Sequence, residues 1–108
     1  MKINILGTEY AVKVIDPESD TKLKGQRDGY TDTSIKECVI DNMLEESPSS
    51  KANLHEYRKA VIRHELIHAF LYESGLDAAS WATNEEMIDW FALQAPKMLK
   101  AFEEADAM

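Results

Sequence analysis

The stretch "RHELIHAFLYESGL", residues 63–76, constrains the fold of this chain more than any other. Its core, "HELIH", sets His64 and His68 four residues apart around Glu65. On an α-helix a four-residue step turns through about 40°, so both imidazoles point the same way. Glu65 stands about 100° round from His64, beside the pair but out of line with it. Burying two imidazoles and a carboxylate together is costly unless something compensates them. The chain must therefore form a helix here and bring matching groups to its face.

Two imidazoles on one face can serve one metal ion, and a carboxylate beside that ion can act as general base toward a water there. Catalytic zinc takes three protein ligands and keeps a fourth position open, so "HELIH" is one ligand short. The only other histidine, His55, lies nine residues before His64 and falls on the opposite face, which leaves it out of the site. Among carboxylates, Glu85 and Glu86 open the next helix, which must fold back across the first through a short loop. If Ile88, Ala92 and Ala95 mark the buried stripe, Glu85 falls at its edge and Glu86 nearly opposite. Asp89 lies one turn beyond Glu85, placed to accept the other ring N–H of a ligating histidine. These phases point to His64, His68 and Glu85 as metal ligands, Glu65 as catalytic base and Asp89 as the group orienting a ligand.

The surrounding sequence sets the expected frame. "KINIL" and "EYAVKVI" read as two strands joined at Gly7-Thr8. Residues 16–29, "DPESDTKLKGQRDG", read as a long polar connection with a helical turn near Ser19 to Leu23. "GYTD" and "SIKECVID" are extended. In the latter Ile35 and Val39, with Cys38 a further candidate, are expected to face a core, and Lys36 and Glu37 water. The "HELIH" helix should run from about Lys51 to Ser74, with Ser49 or Ser50 as N-cap and Gly75 as its stop. "TNEE" has the form of a capping box, Thr83 capping and Glu86 reaching back. The last helix, "NEEMIDWFALQAPKMLKAFEE", should bend or break at Pro96. The expected fold is α+β: a small, mostly antiparallel sheet of three or four strands packed on the "HELIH" helix, with a second, C-terminal helix across it.

"HELIHAF" followed by "NEEMID" resembles the gluzincin class of zinc peptidases, whose thermolysin-like members carry HExxH and then NExxxD. Position by position, the resemblance implies His64, His68 and Glu85 as zinc ligands, Glu65 as base, and Asn84 and Asp89 as the rest of the second motif. It also implies a zincin-like fold and one Zn2+ per chain. The outline is similar to minimal zincins of phages and mobile elements and to ImmA/IrrE-type domains. The match spans Ala60 to Asp89, with a His68–Glu85 spacing slightly shorter than in thermolysin-like enzymes. The resemblance further implies a peptide or protein substrate paired along the sheet's edge strand, a role that falls to "SIKECVID". Tyr57, Tyr72 and Tyr30 are the available hydroxyl donors for a tetrahedral oxyanion, with core packing the simpler role for each. The rival expectation is a non-catalytic, zinc-stabilised binding or regulatory module of phage or mobile-element origin.

Size and charge narrow the alternatives. At 108 residues, one domain spanning 1–108 with a single core is expected. Twenty acidic against 12 basic residues, a net charge of -8 and no Lys/Arg cluster argue against a nucleic-acid partner. The single cysteine, Cys38, cannot form an intrachain disulfide, and no apolar block suggests export or membrane insertion, so a cytoplasmic location is expected.

Overall fold

The computed structural model describes residues 1–44, 53–76 and 81–108. Four strands, β1 (Lys2–Ile5), β2 (Thr8–Ile15), β3 (Gly29–Asp32) and β4 (Glu37–Asp41), precede α1 (Leu54–Glu73) and α2 (Glu85–Glu104). The architecture is α+β, with one four-stranded sheet in the order β1-β2-β4-β3.

The β1–β2 hairpin turns at Leu6 and Gly7, both at positive φ (50° and 95°). That pair matches the right-handed twist of the flanking strands, and the Asn4 side chain accepts the Gly7 N–H at 2.8 Å. The connection after β2 stays at one end of the sheet and steps over one strand's width before β3 begins. β4 returns through the vacated position, so it pairs parallel with β2 and antiparallel with β3. The sheet is therefore mixed: the mostly antiparallel pattern holds for the two outer pairs, and the central pair departs from it.

This topology also corrects the reading of "SIKECVID". Residues 33–36 form the β3–β4 turn, with Lys36 at φ 58°, and the strand starts only at Glu37. Ile35 consequently projects into solvent at 60% exposure, while Cys38, Val39 and Ile40 are all buried. Three consecutive buried residues mean that both faces of β4 are covered, as suits an inner strand. β4 cannot then offer an edge to a substrate. The free edge beside the "HELIH" helix belongs to β3.

One face of the sheet packs on α1. Ile5, Tyr10, Val12 and Cys38 meet Ala69, with Ile3, Ile62 and Leu66 alongside. Gly29 lies so close to α1 that an added Cβ would stand 3.0 Å from Val61 Cγ1. On the other face Tyr30, alternating with Thr31, donates its hydroxyl to Asp20 of the long connection at 2.6 Å. Leu23 of that connection is fully buried. A short 3-10 turn, Pro17–Ser19, precedes the helical turn expected near Ser19 to Leu23, where the Leu23 and Lys24 N–H groups bond back to the Asp20 carbonyl.

Asn53 caps α1, its side chain accepting the Glu56 N–H at 3.2 Å; the expected caps Ser49 and Ser50 lie outside the described residues. At the other end Gly75 adopts φ 82°. Its N–H bonds to Tyr72 and that of Leu76 to Leu71, a Schellman closure that ends the helix where expected. Glu73, in the last turn, accepts from Thr8 and Tyr10 at 2.7 Å each and from Lys36 at 3.1 Å, fastening this end of α1 to the sheet.

α2 is capped by Asn84, which accepts the Met87 N–H at 3.0 Å, one residue later than the expected Thr83. Thr83 instead closes a 3-10 turn, Trp81–Thr83, and Glu86 becomes an exposed first-turn residue. Ile88 and Ala92 are buried, and α2 lies against α1. The helix runs unbroken through Pro96. Proline has no N–H for the carbonyl four residues earlier, which belongs to Ala92. Arg63 of α1 supplies a donor instead, its Nε bonding that carbonyl. Among the described residues no helix is long and apolar enough to cross a membrane.

Candidate metal centre

α1 carries His64 and His68 on the face turned toward the start of α2, and the rings lie 5.0 Å apart between centroids. The Schellman closure at Gly75 and the Asn84 cap set where the first turn of α2 begins. Glu85, its first residue, places one carboxylate oxygen 2.9 Å from His64 Nε2 and the other 3.0 Å from His68 Nε2. The two Nε2 atoms are 3.2 Å apart. Three donor atoms of His64, His68 and Glu85 fall within 4.8 Å of one another, and this group could hold a metal ion.

The donor chemistry fits a cation. Asp89 Oδ1 lies 3.2 Å from His64 Nδ1, so the proton that this carboxylate accepts sits on Nδ1. The lone pair of His64 Nε2 is then directed at His68 Nε2 and a Glu85 oxygen. Converging lone pairs repel unless a proton or a metal ion lies among them. Tetrahedral zinc with bonds of about 2.0–2.1 Å separates its ligand atoms by about 3.3 Å. The observed spacings of 2.9, 3.0 and 3.2 Å are close to that value.

Glu65 lies between α1 and the sheet, 6% exposed, and lines the same cleft as His64, His68 and Glu85. Thr31 of β3 holds it: the hydroxyl lies 2.8 Å from the Glu65 carboxylate and 2.9 Å from its backbone carbonyl. Burial pushes the Glu65 carboxyl above the usual range, opposed by the Thr31 hydrogen bond and by His68 and His64. A carboxylate raised in this way is a stronger base.

These groups line one wall of a cleft of about 520 Å³. Arg27, Gly29 to Thr31, Leu71 and Tyr72 also line the cleft. His55 is exposed and Glu86 is turned to solvent, and neither belongs to the group. Of the tyrosines, Tyr57 donates to Asp28 and Tyr30 to Asp20, while Tyr72 lines the cleft beneath the Lys36 ammonium.

Two residues of this cleft escape a reading of the sequence. Thr31 sits in the short strand "GYTD", where period-two alternation places it opposite Tyr30 but says nothing of which helix residue it meets. Arg27 lies in the polar connection, with no local pattern to single it out. Comparison with known proteins adds nothing to these observations, since no protein-family profile, curated protein or solved structure matches the chain.

Proposed function

We propose that the protein is a zincin-like, zinc-dependent metallopeptidase of gluzincin type. The observation that carries this reading is the convergence of His64, His68 and Glu85, with the Glu65 carboxylate on the same turn of α1. His64, His68 and Glu85 would hold a zinc ion, which supplies a fixed positive charge that acidifies a water and polarises a carbonyl. Asp89 keeps His64 in the tautomer that leaves Nε2 free for that role. Glu65 takes the proton of the attacking water and returns it to the leaving amine nitrogen. Thr31 fixes the carboxylate for both transfers. The outer edge of β3, which pairs with no other strand among the described residues, offers its backbone groups to an extended peptide lying in the cleft, the part that the resemblance assigns to an edge strand.

The test combines metal content with cleavage. Elemental analysis should give one zinc per chain in the wild type and none in a His64→Ala, His68→Ala double variant. Glu65→Gln should keep the zinc and lose hydrolysis of a peptide library. Two imidazoles and a carboxylate also suit ferrous iron, so iron in place of zinc would overturn the hydrolytic reading. Zinc that raises the unfolding temperature, with no cleavage by the wild type, would replace it with a metal-stabilised binding or regulatory module.

A further inference from the structure

The cleft holds a cation with no partner among the described residues. The chain has three arginines. Arg58 donates to the Asn42 carbonyl and Arg63 to that of Ala92. Arg27 lines the cleft with no side-chain hydrogen bond or ion pair among the described residues. Lys2, Lys13, Lys22, Lys24, Lys36 and Lys59 each find a carboxylate, and Lys97 and Lys100 of α2 do not line the cleft. An arginine that lines a cleft and has no partner among the described residues is available to a group from outside the chain.

Position narrows what that is. Arg27 lies two residues before β3, at the end of the strand where an extended peptide on its free edge would enter or leave the cleft. Asp32 stands at the strand's other end. Asp32 is already engaged by Lys22 and Ser34, so the unpaired charge at this edge is that of Arg27, and a peptide antiparallel to β3 would turn its carboxyl end toward it. A guanidinium matches a carboxylate with two parallel N–H donors.

Building on the peptidase reading, we infer that Arg27 is a specificity determinant which selects peptides carrying a carboxylate at the end of the cleft beside it. An acidic side chain and the peptide's own C-terminus present the same chemistry there.

The test measures binding, so that it does not depend on turnover. The probes are acetylated, fluorescein-labelled octapeptides that place Glu or Gln at each successive position, each made with a free or an amidated C-terminus. Fluorescence anisotropy is read on zinc-supplied wild type, Arg27→Gln and Arg27→Lys, after zinc content and urea midpoint are shown to agree among the three. In the wild type, one carboxylate peptide should bind roughly tenfold tighter than its neutral twin. In Arg27→Gln the difference should fall to within about twofold, and in Arg27→Lys part of it should return. A preference carried by the Glu/Gln pair assigns the side chain; one carried by the acid/amide pair assigns the terminus. Equal binding of all twins by the wild type, or a preference that survives in Arg27→Gln, overturns the inference. Arg27-dependent binding without any cleavage would sink the peptidase reading while leaving the carboxylate site standing. Cleavage that ignores the carboxylate would do the reverse.

Discussion

Arg63 and Pro96 form a pair whose coupling can be measured. Pro96 leaves the Ala92 carbonyl without its helical donor, and the Arg63 guanidinium takes that place from the neighbouring helix. Ala92 is fully buried, so the carbonyl cannot turn to water if Arg63 is lost. A hydrogen bond from a charged donor contributes about 1.5–3 kcal/mol net. Arg63→Met keeps most of the apolar stem and removes the donor, and we expect it to cost about 2 kcal/mol. For a chain of this size that corresponds to a fall in Tm of roughly 8–16 °C. Pro96→Ala restores an N–H at position 96, which can then bond Ala92 within the helix. In that background Arg63→Met should cost less than about 0.5 kcal/mol, giving a coupling energy above about 1 kcal/mol in a double-mutant cycle read from urea unfolding. Equal costs in the two backgrounds would refute the assignment of Arg63 to the orphaned carbonyl.

Two further perturbations test the frame around the site. Gly29→Ala would bring a methyl to 3.0 Å from Val61 Cγ1 and 3.2 Å from both Ile40 Cδ1 and the Val39 carbonyl. Separating α1 from β3 in this way should cost about 1–3 kcal/mol, and an unchanged urea midpoint would show that the contact yields freely. Hydrogen bonds from Tyr10, Thr8 and Lys36 hold the Glu73 carboxyl below the ordinary glutamate value of 4.5. Because the folded value is the lower one, Glu73 contributes stability above pH 4.5 that is lost as pH falls through the folded value. Tm measured across that acidic window should fall less steeply in Glu73→Gln than in wild type; parallel curves would remove Glu73 from the acid response.

Much of the site could be read in the sequence because helical phase is local. The four-residue step in "HELIH" and the offset between Glu85 and Glu86 need no knowledge of the sheet. The N-cap of α2 was harder, because Thr83 and Asn84 are both competent acceptors and differ by one residue in phase. The parallel β2–β4 pairing has no signature in either strand; it follows from where a 13-residue connection between Ile15 and Gly29 lays the chain down. Ile35 was misplaced for a related reason, since alternation counted from Ser34 ignores a turn that ends with Lys36 at positive φ. Thr31 and Arg27 matter through partners or surroundings more than 30 residues away in sequence, and no window along the chain contains both sides of such a contact.

The position of β3 has a consequence for how Glu65 exchanges protons with its surroundings. β3 is four residues long and is bonded to one neighbour among the described residues, so it belongs to the part of the sheet that opens at least cost. Thr31 sits within it, and each excursion of this strand removes both the hydroxyl that holds Glu65 and the wall that keeps the carboxylate dry. Opening of this short strand, which hydrogen exchange at its amides would report, would therefore widen the access of bulk water to the carboxylate.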